Sequence, residues 1–144
     1  MPAELLKINS SQPEQKLVSY AAERIRQGQV LGMPTDTFYG LAADPVNLRA
    51  ALRVPSAPIP VAIIREIGFP ITATSANLLG ASECMTAECV RDQMGDRISI
   101  IVNGGPTERD QPTTIVDLSG DPTQWQIIRE GAIPAEEISQ ILWH

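Results

Sequence analysis

Histidine, lysine and cysteine are scarce in this 144-residue chain, and each shortage closes off a class of chemistry. The single histidine is the terminal His144, so a Ser-His or Cys-His nucleophile has no evident base. Cys84 and Cys89 are the only cysteines, and two sulfurs with one terminal imidazole do not make a four-ligand zinc site. No metal site is expected. The pair reads as two buried or half-buried thiols of a reducing compartment. Both lysines, Lys7 and Lys16, precede the first candidate site, and neither a Walker loop nor a G-x-G-x-x-G fingerprint is present. Long apolar runs are missing too, and Met1 to Ser10 lacks the basic start and apolar centre of a signal peptide, so a cytoplasmic location is expected, with no membrane partner. With 11 Lys and Arg against 17 Asp and Glu, the formal charge is -6, which disfavours non-specific binding to nucleic acid or anionic lipid.

What is present is a 43% hydrophobic content, enough for a core in one domain spanning residues 1–144, with no Gly-, Ser- or Pro-rich linker to divide it. The run Met33-Pro34-Thr35-Asp36-Thr37-Phe38-Tyr39-Gly40-Leu41-Ala42-Ala43-Asp44-Pro45 is its most informative stretch. Val30 to Met33 reads as a short buried strand, and Pro34 removes a backbone donor and takes the chain out of the ladder. Hydroxyls and a carboxylate at the end of a core strand are well placed to meet a ligand. They equally suit a cap for a helical turn that Gly40 would stop.

Helical and extended patterns alternate along the chain. Ser10 or Ser11 can cap a helix with Pro13 in its first turn, Leu17, Val18, Ala21, Ala22 and Ile25 on one face, and a stop near Gly28. Leu52-Arg53-Val54 reads as a short strand, Pro58-Ile59-Pro60 as a turn, and Val61 to Ile67 as a helix closed by Gly68. Pro70 to Thr74 is strand-like, Thr86 can cap a helix from Ala87 to Met94, and Ile98 to Val102 is a β-branched run stopped by Asn103-Gly104-Gly105-Pro106. Thr113 to Leu118 and Trp125 to Arg129 form a hairpin across Ser119 to Pro122, and Pro134 opens a last helix. The expected class is α/β with a mixed sheet.

Polar groups gather at the ends of these strands. Thr74-Ser75-Ala76-Asn77 offers two hydroxyls and an amide to a phosphate, ribose or carboxylate, although such residues also satisfy their own turn backbone. Thr113-Thr114 carries the same ambiguity. Arg129 and Arg53 could each fork onto a phosphate, or respectively be solvated and join a structural ion pair.

Taken in order, Pro34 to Leu41, Leu52-Arg53-Val54-Pro55, Thr74-Ser75-Ala76-Asn77, Thr113-Thr114-Ile115-Val116-Asp117 and Ile128-Arg129-Glu130-Gly131 resemble the signature blocks of the YrdC-like threonylcarbamoyl-AMP synthases. The resemblance implies a YrdC-like twisted mixed sheet flanked by helices, around a deep concave site. It implies a nucleotidyl-transfer reaction in which L-threonine, bicarbonate and ATP, with Mg²⁺, give threonylcarbamoyl-AMP and pyrophosphate, toward N6-threonylcarbamoyladenosine in tRNA. No catalytic side chain acts as nucleophile in such a scheme. By resemblance Thr35 and Thr113 contact threonine, with Ala73 offering backbone. Ser75 and Asn77 lie on the nucleotide side, Arg129 pairs with phosphate or stacks near adenine, and Arg53 is a further phosphate candidate.

One departure stands out. The family's central segment, with its Lys-x-Arg phosphate motif, a histidine and a Pro-Gly-Pro-Leu-Thr strand, has no counterpart between about residues 50 and 51. A weakened synthase, a binding module for threonine, nucleotide or RNA, and a chain completed as a homodimer by a second copy's strands are the readings this leaves. The partners implied are tRNA or the enzyme that transfers the threonylcarbamoyl group.

Overall fold

The computed structural model describes residues 3–44, 53, 55–107, 111–118 and 125–142. The chain runs β1 (Glu4–Lys7), α1 (Gln15–Arg26), β2 (Leu31–Met33), β3 (Gly40–Ala43), α2 (Pro58–Ile67), β4 (Thr72–Ser75), α3 (Ala87–Met94), a 3-10 turn (Gly95–Arg97), β5 (Ile100–Asn103), β6 (Ile115–Asp117), β7 (Gln126–Arg129) and α4 (Ala135–Leu142). Five strands form one sheet in the order β1-β5-β2-β3-β4, and β6 and β7 form a separate pair. β5 runs parallel to both β1 and β2, whereas β2, β3 and β4 are antiparallel in succession. The sheet is therefore mixed, as the alternation of elements predicts.

β5 is central because Ile100, Ile101 and Val102 are apolar without alternation, which suits a strand covered on both faces. Successive side chains then part company: Ile100 and Val102 join Leu31, Met33, Val18, Ile25 and Ile63 under α1 and α2. Ile101 packs with Ala87, Val90 and Tyr39 on the α3 side. Each such buried aliphatic chain contributes about 1.5–3 kcal/mol. Gly32 admits this α3 layer, since a Cβ there would lie 3.2 Å from Val90 Cγ1.

The helix of 61–67 begins earlier than expected. Pro58 and Pro60 belong to its first turn, where a missing N–H costs nothing, and Gly68 closes it with φ +84°. α1 also starts later than Ser10 or Ser11 allows, because Glu14 holds the N-cap position without a side-chain cap and Asn9 Oδ1 instead accepts from Ser11 and Gln12 amides. α3 matches its expected span, with the Thr86 hydroxyl accepting from Cys89 N at 3.2 Å. That cap brings the Cys84 and Cys89 Cα atoms to 5.5 Å, and the two sulfurs are bonded. The expected free thiols are thus corrected to a disulfide. β1 has no counterpart among the predicted strands: Glu4-Leu5-Leu6-Lys7 lacks β-branched residues, and it is the open edge of β5 that recruits it. The predicted strand at Leu52 to Val54 and the hairpin turn at Ser119 to Pro122 lie outside the described residues.

Gly40 does not end a helical turn. It opens β3, so Thr35 to Tyr39 is the connection between two antiparallel strands. The capping alternative for this run is overturned in that form, because the chain must reverse within six residues, Pro34 to Tyr39, to return along β2.

Candidate functional site

Along the wall of a cavity of about 1120 Å³ lie the β2–β3 connection, the N-terminus of α2, the loop after β5 and the start of β6, with α4 at its rim. The Thr35 hydroxyl organises the first of these, donating to Phe38 O at 2.7 Å and accepting from Thr37 N at 3.2 Å. This is a hydroxyl turn of the kind that fixes backbone. Thr37 is buried beside it.

Asp36 instead holds the residues that lead into α2. Its carboxylate accepts from the Ser56 amide at 3.1 and 3.2 Å, from the Ser56 hydroxyl, and from Arg53 Nη2 at 3.1 Å. Partial burial opposes ionisation of Asp36, but the Ser56 hydroxyl and amide, Arg53 and the Ala57 amide outweigh it and hold the carboxyl below its ordinary value. A fixed anion thus sits at the positive end of α2, where Pro58 and Pro60 have no N–H to offer. Arg53 is committed, and its ion pair to Asp36 realises the structural alternative considered for it.

The loop after β5 forms the adjoining wall. Gly104 approaches so closely that a Cβ would lie 2.4 Å from Ile59 Cδ1 and 3.1 Å from Pro34 Cγ. Tyr39 donates its hydroxyl to Gly105 O at 2.8 Å, and burial pushes its phenol up to about 12. Thr107 N donates to Met85 O at 2.9 Å, and its side-chain hydroxyl is buried with no partner among the described residues.

From the far side come Thr113, Thr114, Ile133 and Glu137. Thr114 Oγ1 accepts from Gly131 N at 2.9 Å and Ile133 N at 3.2 Å and donates to Ile133 O, so it ties β6 to the segment before α4. A Cβ on Gly131 would stand 2.0 Å from Pro112 O, which makes glycine obligatory at that crossing. Arg129 Nε and Nη2 both donate to Thr113 O, at 3.1 and 2.8 Å.

Of the residues predicted for the site, Thr35, Thr113 and Arg53 line the cavity together. Ala73, Ser75, Asn77 and Arg129 are not among its lining residues. Ala73 and Ser75 pair with Ala42 and Gly40 on the sheet's outer strand, and Asn77 Nδ2 donates to Leu78 O and Ala81 O. Ser56, Thr107 and Glu137 went unpredicted. For Thr107 the one usable signal is its position just past the Gly-Gly-Pro stop of the strongest strand pattern. Among the described residues no three His, Cys, Asp or Glu side chains are grouped to hold a metal. No helix of the described residues is long and apolar enough to cross a membrane.

Comparison with known proteins accords with this geometry. The family model for Sua5, YciO and YrdC proteins, described as telomere recombination, matches residues 47–131. The threonylcarbamoyl-AMP synthase of Vibrio vulnificus is 42% identical over 81 residues, covering 56% of this chain and 41% of that protein. The chain therefore spans about two fifths of the length of that relative. Among solved structures, Sua5 of P. abyssi complexed with L-threonine aligns with a TM-score of 0.85 at 21% identity, over 95% of this chain and 60% of that one. E. coli YciO aligns with a TM-score of 0.81 at 20% identity, over 93% of this chain and 98% of its own. At those identities the likeness shows a shared fold.

Proposed function

Because the chain belongs to the Sua5, YciO and YrdC family, we propose that its cavity binds L-threonine, and that the protein serves the threonylcarbamoyl-AMP route to N6-threonylcarbamoyladenosine in tRNA. The observation that carries this reading is the convergence of Thr35 and Thr113, from two separate signature blocks, on one cavity. The volume is generous for an amino acid, and the lining of hydroxyls, carboxylates and one guanidinium suits a zwitterion.

In the full reaction the threonine nitrogen condenses with bicarbonate, releasing water, and the resulting carbamate oxygen attacks the α-phosphate of ATP as pyrophosphate leaves. The demand on the protein is to hold that oxygen in line and neutralise the charge that develops. This chain meets the first demand better than the second. Among the described residues Arg53 is the only Lys or Arg lining the cavity, and it is paired with Asp36. Each absent charged contact to the reacting phosphates costs about 2–4 kcal/mol on the scale of an oxyanion-hole donor, roughly a 30- to 1000-fold loss in rate. Nucleotide contacts from Ser75, Asn77 and Arg129, any Mg²⁺ delivered with ATP, and tRNA as the ultimate acceptor all belong to this same proposal. The second reading, a threonine-binding module that turns over poorly, is favoured by that single paired cation.

The test is to supply pure chain with threonine, bicarbonate, ATP and Mg²⁺ and follow pyrophosphate. We expect threonine binding with threonine-dependent release at least tenfold slower than that of a relative containing the central segment. Release that ignores threonine, with no threonine binding, would remove the proposal.

A further inference from the structure

We infer that Thr107 is a specificity-determining residue that reads a hydroxyl on the amino acid bound in the cavity, an inference that rests on the threonine reading above. Its observation is separate from those that carry that reading. Thr107 lines the cavity yet is only 7% exposed, and its Oγ1 is buried without a hydrogen-bond partner among the described residues. A buried hydroxyl left unpaired is unfavourable, and native proteins seldom tolerate one.

The other hydroxyls nearby are already occupied. Thr35 both donates to Phe38 O and accepts from Thr37 N. Thr114 is saturated by Gly131 and Ile133, and Ser56 donates to Asp36. Thr113 is half-buried, so water can serve it. Among the described hydroxyls lining the cavity, Thr107 alone combines near-complete burial with no partner.

Its backbone is held in place while its side chain is not committed. Thr107 N is bonded to Met85 O at 2.9 Å, Asn103 Oδ1 accepts from Gly105 N at 3.0 Å, and Tyr39 fixes Gly105 O from the sheet side. A 120° step about χ1 carries the threonine hydroxyl from one staggered well to the next, with the methyl moving on by the same angle. No hydrogen bond of Oγ1 among the described residues opposes that step, which is the movement inferred to bring the hydroxyl to a ligand. A site that offers a hydrogen bond to a ligand hydroxyl discriminates against the deoxy analogue, because the protein group is then left unpaired. The chemical class selected is a small β-hydroxy amino acid.

The experiment compares L-threonine with L-2-aminobutyrate, its deoxy analogue, by calorimetry on the full chain and on Thr107→Val and Thr107→Ser, with the melting temperature of each free protein. Wild type should prefer threonine about tenfold, the scale of one hydrogen bond. Thr107→Val should lose that preference with 2-aminobutyrate affinity unchanged, and should melt no lower than wild type, because the hydroxyl it removes satisfies nothing in the free fold. Thr107→Ser should keep the preference. A Thr107→Val protein that still prefers threonine, or that melts lower because the hydroxyl was bonded within the fold, overturns the inference. Equal binding of both ligands by wild type overturns it while leaving an amino-acid site standing, and binding of neither removes both readings.

Discussion

Asp36 connects two parts of the chain that are 20 residues apart, at Asp36 and Ser56. Its carboxylate closes the β2–β3 connection against the start of α2, so one side chain sets the width of the cavity at that wall. Replacing it by alanine strands the Ser56 amide and hydroxyl and frees Arg53. Partial exposure lets water repair some of this, so the expected cost is about 1 kcal/mol, or roughly 2–4 °C in melting temperature. The pH dependence has a definite sign. Since the folded value lies below the ordinary 3.8, Asp36 adds stability that is complete above that value and disappears as pH falls through the lower folded one. Melting curves of wild type and Asp36→Ala should therefore differ at neutral pH and converge in acid. A gap that stays constant to strong acid would mean that ionisation of Asp36 plays no part.

At the level of elements, the segment from Cys84 to Thr86 behaves as a strap. Cys84 O accepts from Tyr39 N at 2.8 Å and Met85 O from Thr107 N at 2.9 Å, so the strap holds a residue on each of two cavity-forming segments. Thr86 then starts α3, and the Cys84–Cys89 bond locks strap to helix. Closing so short a loop restricts the unfolded chain by about 2 kcal/mol in the chain-entropy account. Reductant should lower the melting temperature of wild type by several degrees and leave a Cys84→Ser, Cys89→Ser double variant unmoved. Equal response of the two proteins would show that the bond does not stabilise the strap. The contrast with the sequence reading is physical. α3 was legible because cap, apolar spacing and Gly95 all lie within ten residues, Thr86 to Gly95. The sulfur bond was not, because composition suggests a compartment and cannot show that a turn has brought two Cα atoms together. β1 and the prolines of α2 were misjudged for a related reason, since each owes its state to a neighbour remote in sequence. Thr35 and Thr113, singled out through their blocks, line the cavity. Thr107 was not singled out, because its significance lies in lacking a partner.

Across the whole molecule, burial is uneven. Ile128, Ile133, Ile141 and Leu142, all in the last quarter of the chain, are 39–75% exposed, and α4 contains no buried residue. That part is tied on by hydrogen bonds of Thr113 and Thr114 and by the Gly131 crossing rather than by core. It nevertheless supplies one wall of the cavity. Local opening free energy follows buried contacts, so β6, β7 and α4 should open far more readily than β5, whose Ile100, Ile101 and Val102 are at most 1% exposed. A ligand that touches both walls binds only the closed arrangement, and so stabilises the weak wall by mass action, about 2.7 kcal/mol at a hundredfold excess over Kd. Hydrogen exchange followed by mass spectrometry should find Ile115–Asp117 and Gln126–Arg129 exchanging much faster than Ile100–Asn103 in the free protein, and slowed selectively, up to about a hundredfold, by saturating threonine. Protection confined to the β2–β3 connection would place the ligand on one wall only, and the far wall would then be no part of the site.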